Sequence, residues 1–298
     1  RSVGAEDGTH DATVVSRGLT SEAEASPETR TRDRELGRRL LAAAVLIPPV
    51  IGLVWLGGLP FAVAVAIVAA LGSFEFFRLA LGRLGPEAWL VVIASAALPM
   101  LPSSPSRWGV ATALVLGVSI VSWSWNALRG DVAQGAQKAS ALVSGTVFCG
   151  GSLLALPALR ELEQGRAWVF CLLAAAAAND ASAYFGGRRF GRHHLAPRVS
   201  PGKTWEGWWC GVVGALAVAE AACLARLVQL SWKDAAVVAI LASVFGPLGD
   251  LSKSLLKRAR GVKTSGHLIP GHGGVLDRVD SVLFTGPVVL LYATFHGG

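Results

Sequence analysis

Charge is scarce in this chain. Asp, Glu, Lys and Arg make up 16% of its 298 residues, against about 25% in an ordinary soluble domain. A large soluble helical protein needs far more charged surface between its helices, so this shortfall excludes one. Cysteine is scarce as well. Cys149, Cys171, Cys210 and Cys223 all lie in apolar runs, and no two have C-x-x-C spacing. They read as small hydrophobes, which excludes a disulfide framework and a zinc cluster. The basic residues fall in short loops and form no continuous basic face, which speaks against nucleic acid as a partner. The first stretch of the chain has no apolar core following a short basic start, so a secretory signal peptide is not expected there.

Apolar residues, by contrast, are abundant. They make up 52% of the chain, and the mean hydropathy is +0.51. They are gathered in runs of about 17–25 residues, the length of helix that crosses about 30 Å of hydrocarbon. The fold class expected is an all-α polytopic membrane protein. About nine transmembrane helices are predicted, near 39–57, 59–82, 88–102, 107–128, 139–159, 166–185, 205–229, 233–256 and 278–296. The third is the shortest and contains Pro99. Residues 1–36, rich in Glu, Asp, Arg, Ser and Thr, read as a disordered cytoplasmic tail. Residues 37–298 then form one transmembrane catalytic domain, its motifs concentrated from about 160 to 296. Trp89, Trp108, Trp168, Trp205, Trp208, Trp209 and Trp232 stand near span ends, where amphipathic rings prefer to sit.

Alternate loops differ in charge. With the N-terminus in the cytoplasm, one set of loops holds fourteen Lys and Arg, including Arg188, Arg189, Arg192, Arg198, Lys203, Lys257, Arg258, Arg260, Lys263 and Arg278. The other set holds five: Arg107, Arg160, Arg166, Arg226 and Lys233. The bias puts the motif-rich loops near 186–204 and 257–277 together on the cytoplasmic side. The net charge of +7 suits anionic partners such as lipid head groups, nucleotides or phosphates.

Acidic residues within apolar spans are costly and mark candidate sites. Asp180 follows an alanine run, and Asp250 closes G-P-L-G-D. Asp277 and Asp280 open the last span at i, i+3 spacing, on one helical face. By the orientation above all four lie toward the cytoplasmic ends of their spans. Carboxylates beside basic loops suit Mg²⁺, which takes one or two carboxylates plus substrate phosphates. Charge pairing with Arg278 at a helix N-terminus is the bland alternative for Asp277 and Asp280. Gly271, Gly273 and Gly274 can bring backbone N–H groups close to a phosphate, with His272 among them as a phosphate contact or proton carrier. The segment Ser200–Gly207 contains G-K-T, but a P-loop needs glycine where Pro197 stands, so a P-loop ATPase is rejected. Lys203 remains a phosphate ligand as a point charge. Ser200 and Thr204 are caps or phosphate contacts, and Glu206 acts on a metal or caps a helix. His193, His194 and His267 read as solvated loop residues. Glu75 and Arg160 line a polar interior or form interfacial ion pairs.

These residues together resemble the bacterial phosphatidate cytidylyltransferases, also called CDP-diacylglycerol synthases. The family signature stands here as Ser254-Leu255-Leu256-Lys257-Arg258, then Lys263-Thr264, then Pro270-Gly271-His272-Gly273-Gly274-Val275-Leu276-Asp277-Arg278-Val279-Asp280. Upstream, Asn179-Asp180, Ala183-Tyr184-Phe185, Gly187-Arg188, Ser200-Pro201, Lys203-Thr204 and Glu206-Gly207 are similar to the family too. Thr264 departs from the usual Asp and cannot supply a carboxylate.

The resemblance implies transfer of a cytidylyl group from CTP to phosphatidate. It implies a catalytic set of Asp250, Asp277, Asp280, Lys257, Arg258, Lys263 and Arg278. Ser200, Lys203, Thr204, Glu206, Ser254, His272, Gly273 and Gly274 would then bind substrates. Mg²⁺ would rest on Asp250, Asp277 and Asp280, with Asp180 a further ligand and a second cation admissible. A homodimer in the bacterial inner membrane, in contact with membrane lipids, is implied as well. Two rivals are carried with it: another membrane CTP enzyme of the polyprenol kinase kind, and an anionic-substrate transporter. A CDP-alcohol phosphotransferase would need a D-G-x-x-A-R run, which is missing, and no internal symmetry of the transporter kind is visible.

Overall fold

The structure is a computed structural model that describes residues 47–129, 132–262 and 274–296. The predicted tail, 1–36, lies outside the described residues, as do Lys263, Thr264, His267, His272 and Gly273.

The described chain is a helical bundle. Its helices are α1 (Ile47–Leu56), α2 (Gly58–Leu81), α3 (Pro86–Ala97), α4 (Arg107–Leu128), α5 (Val132–Gly145), α6 (Ser152–Glu161), α7 (Gly165–Phe190), α8 (Trp205–Leu224), α9 (Trp232–Ala259) and α10 (Leu276–His296). A π-helical segment, Thr146–Gly151, joins α5 to α6, so that Gln134–Glu161 runs as one membrane-length helix. Among the described residues, seven helices are long and apolar enough to cross a membrane.

The third predicted span is shorter, and of the first only Ile47–Leu56 is described. The described part of α1 has ten residues, and α3 with its terminal 3₁₀ turn covers Pro86–Met100. At about 1.5 Å per residue the latter reaches roughly 22 Å, short of the hydrocarbon thickness. The helix tightens at Leu98-Pro99-Met100 and leaves helical geometry at Leu101, whose helical conformation the ring of the following Pro102 disfavours.

Contacts at the two ends of the bundle agree with the predicted alternation of loops. At one end Arg160 Nε donates to Val54 O at 2.8 Å, and Arg107 pairs with Glu161 at 2.5 Å. Tyr292 donates to Asp234 at 2.9 Å there. At the other end Arg260 donates to Ala80 O, Arg258 Nε to Val199 O at 3.3 Å, and Lys203 pairs with Asp250 at 2.7 Å. The two motif-bearing loops therefore share one face.

A core of Val54, Leu153, Trp168, Leu172, Ala239 and Leu283 fills the interior. Outward-facing Leu56, Leu90, Ile93, Leu116 and Ile120 stay exposed, as side chains that face lipid must. The 28 residues of α9 and 26 of α7 make helices of roughly 42 and 39 Å. Both exceed the hydrocarbon core, so their last turns carry Lys257, Arg258, Arg188 and Arg189 out of it.

Candidate active site

The site forms where α7, α9 and α10 meet beneath a short hairpin. The loop after α7, read from sequence as irregular, contains strands β1 (His194–Ala196) and β2 (Ser200–Thr204), paired antiparallel with His194 opposite Thr204 and Ala196 opposite Ser200. Glu206 anchors the hairpin. Its Oε2 accepts from the backbone N–H of Arg192 at 3.0 Å and of His193 at 3.2 Å, and its Oε1 lies 2.5 Å from His193 Nδ1. That carboxylate is thus engaged with the loop. Thr204 caps α8, its Oγ1 accepting from Gly207 N at 3.1 Å, the arrangement expected of an N-cap threonine. The hairpin then delivers Lys203 over the end of α9.

Close backbone packing sets the geometry. A Cβ on Gly249 would stand 2.1 Å from Asp280 O, so only glycine lets α9 and α10 approach this closely. A Cβ on Gly207 would meet Ala183 O at 2.7 Å, and the same holds there for α7 and α8. Trp208 Nε1 donates to Ser243 O at 2.8 Å and ties α8 to α9.

Glu75 fixes the start of α10. This carboxylate from α2 is 1% exposed. It accepts from Val275 N at 3.0 Å and Leu276 N at 2.8 Å, satisfying orphan donors at a helix N-terminus with a full negative charge. Among the described residues it makes these backbone contacts and no ion pair. It is a cap contributed from 200 residues away.

A cavity of about 320 Å³ opens at this junction. Asp180, Asp250, Asp277 and Asp280 all line it, with Lys203 and Thr204. The four predicted aspartates therefore converge. Lys257 stands beside them, its Nζ 3.2 Å from Asp277 Oδ1. Ser254 is buried in α9, Ser200 pairs in the hairpin, and Arg258 holds Val199. Arg278 is exposed and lies outside the cavity lining, and Gly274 is buried, its N–H 3.3 Å from Asp277 Oδ2.

Sequence reasoning missed the residue at the centre. Lys253 is 5% exposed. Its Nζ lies 2.9 Å from Asp250 Oδ1 and 2.9 Å from Asp277 Oδ1, and also contacts Asp280 Oδ2. A lysine within an apolar span, three residues from Asp250 and four from Lys257, was the signal that could have found it. Ser281 was missed too; its Oγ donates to Asp180 Oδ2 at 3.0 Å.

This arrangement bears on Mg²⁺. The three acids expected to share a metal instead share an ammonium, and a metal bound to all three would have to sit where Nζ sits. Among the described residues no three His, Cys, Asp or Glu side chains are arranged to hold a metal ion. Asp250, Asp277 and Asp280 as placed do not fit one. Asp180 differs: it accepts from the neutral Ser281 hydroxyl at 3.0 Å and from the Asn179 amide at 3.5 Å. One carboxylate with substrate phosphates is an ordinary Mg²⁺ environment.

A family model described as the cytidylyltransferase family matches residues 37–296. A phosphatidate cytidylyltransferase of Brucella abortus is 35% identical over 269 residues, covering 86% of this chain and 93% of that protein. One from Pseudomonas aeruginosa is 34% identical over 290 residues, covering 88% and 99%. One from Bacillus subtilis is 29% identical over 263 residues, covering 85% and 96%.

Proposed function

The chain belongs to the cytidylyltransferase family, a multi-pass membrane nucleotidyltransferase, and from that premise we propose that it converts CTP and phosphatidate into CDP-diacylglycerol and pyrophosphate. One observation carries this reading. Lys203, Lys253 and four aspartates line a single cavity at the end of the bundle, with Lys257 paired to Asp277 beside it. A lipid phosphate and a soluble nucleotide can meet only at such a boundary.

A phosphate oxygen of phosphatidate attacks the α-phosphorus of CTP, forming the new P–O–P bond. The bond from that phosphorus to the β-phosphate bridging oxygen breaks, and pyrophosphate leaves with the electron pair. The attacking oxygen is already anionic near neutral pH, so no side chain needs to remove a proton. Catalysis rests on positioning and on neutralising charge. Lys203, which pairs with Asp250 at 2.7 Å, turns to the triphosphate on binding. Lys257, near the last turn of α9, offsets charge on the leaving phosphates, and Asp277 holds it in place. Mg²⁺ arriving with the triphosphate would be held by Asp180 and would supply further neutralisation of the phosphate oxygens.

We place the site face in the cytoplasm of a bacterial inner membrane, on the Lys and Arg bias of the loops and the location of CTP. A homodimer is proposed from the family resemblance.

The test is pyrophosphate release by the purified full chain in detergent with CTP, phosphatidate and Mg²⁺, beside Asp277→Asn and Thr264→Asp. Release requiring both substrates, and falling at least about a hundredfold in Asp277→Asn at unchanged elution volume, supports the reading. Silence in the unaltered chain and in Thr264→Asp alike removes it. Silence that Thr264→Asp alone relieves assigns the chain to a disabled form of the same enzyme.

A further inference from the structure

We propose that Lys253 is a built-in cation of this site: its ammonium takes the place of a metal ion between Asp250, Asp277 and Asp280, so these three carboxylates bind no divalent ion of their own. The inference rests on the reading of this cavity as the cytidylyl-transfer site and adds to it what neutralises the acids there.

The geometry is that of a ligated cation. A surface lysine pairs with one carboxylate and keeps its head in water. Lys253 is buried, and its Nζ contacts oxygens from three carboxylates on two helices, two of them at 2.9 Å. An ammonium has three N–H donors; Lys253 donates to Asp280 and forms ion pairs with Asp250 and Asp277. A charge this far from water persists only when paired and fully hydrogen-bonded. Three acids held together need cationic charge in the same measure.

The neighbouring lysines close the balance. Lys203 Nζ lies 2.7 Å from Asp250 Oδ2, and Lys257 Nζ lies 3.2 Å from Asp277 Oδ1. Around Lys253 three carboxylates thus face three ammonium groups, and each of these acids is already paired with a cation. A metal entering among the three acids would have to expel Nζ from its position and meet the repulsion of two further cations. Asp180 lies outside this set, bonded to Ser281, and accounts for the ion that travels with the nucleotide. The site would therefore work with a single divalent cation, delivered by the substrate.

Mn²⁺ binding to the purified full chain in detergent, without nucleotide, tests this by electron paramagnetic resonance. It reads metal occupancy and needs no turnover. The unaltered chain should show no Mn²⁺ that Asp277→Asn or Asp280→Asn removes. Lys253→Gln should gain one Mn²⁺ site, at least about tenfold tighter than any the unaltered chain shows at these acids, because even water-like screening leaves repulsion between a unit charge and a divalent ion a few ångströms away. Lys253→Gln combined with Asp277→Asn should lose that gain. The proposal is overturned if the unaltered chain binds Mn²⁺ that either Asn variant abolishes, or if folded Lys253→Gln gains nothing. Should Lys253→Gln fail to fold, the unaltered chain and its Asn variants decide alone. Pyrophosphate release is assayed separately, so loss of the cytidylyltransferase reading leaves the metal count standing, and the reverse.

Discussion

Replacing Glu75 removes a carboxylate that holds the start of α10 from the far side of the bundle. The side chain is 1% exposed and accepts two backbone N–H groups, at 3.0 and 2.8 Å. A hydrogen bond to a charged group contributes about 1.5–3 kcal/mol, and a buried donor left unsatisfied costs a similar amount. Glu75→Gln keeps one acceptor oxygen but turns an NH₂ toward the other donor, so the expected loss is about 2–4 kcal/mol. For a chain of this size 1 kcal/mol moves the melting temperature by about 2–4 °C, which predicts a drop of roughly 4–16 °C. Glu75→Ala should drop further, since both donors lose their partner and the side chain's volume is left empty. The assay is thermal unfolding in detergent, followed by intrinsic fluorescence of the tryptophans, with pyrophosphate release measured well below the transition. Because α10 carries Asp277 and Asp280, turnover should fall even in the folded fraction. A Glu75→Gln protein with unchanged melting and unchanged turnover would refute the capping argument, since a buried carboxylate cannot be both the anchor of α10 and dispensable.

Two further outcomes follow from the same geometry. Lys203→Ala should raise the KM for CTP by about 10–100-fold, the range of one hydrogen bond to a charged group; an unchanged KM would remove Lys203 from the nucleotide site. Gly249→Ala should destabilise the chain by about 1–3 kcal/mol, as overpacking does, because its Cβ would stand 2.1 Å from Asp280 O. Unfolding in detergent reads that shift, and unchanged melting would mean that α9 and α10 do not approach this closely.

Much of the site was legible before any coordinates. Asp180, Asp250, Asp277 and Asp280 were singled out because charge inside an apolar span is expensive, and Lys203 as a point-charge phosphate ligand in the G-K-T segment; all five line one cavity. Others were legible only as alternatives. Glu206 read as a metal ligand or a cap, and its carboxylate is taken up by Arg192 and His193. Glu75 read as interior or interfacial and proved to be a cap for another helix. Lys253 was not legible as a site residue from its position alone, although the cost of burial that marks the acids applies equally to a lysine.

The sequence by itself determined where the long apolar helices run, seven of them of membrane-crossing length among the described residues, and where the polar chemistry gathers. These follow from burial energies summed along about 20 consecutive residues, and such sums are large and local. Tertiary structure alone decided which charge meets which. Whether Lys253 lies among three carboxylates, and whether Glu75 reaches Val275 and Leu276, depends on how each helix is rotated about its own axis. That rotation is set by close contacts such as Gly249 against Asp280 O and Gly207 against Ala183 O. Packing of this kind joins residues far apart in the chain and leaves no periodic trace along it.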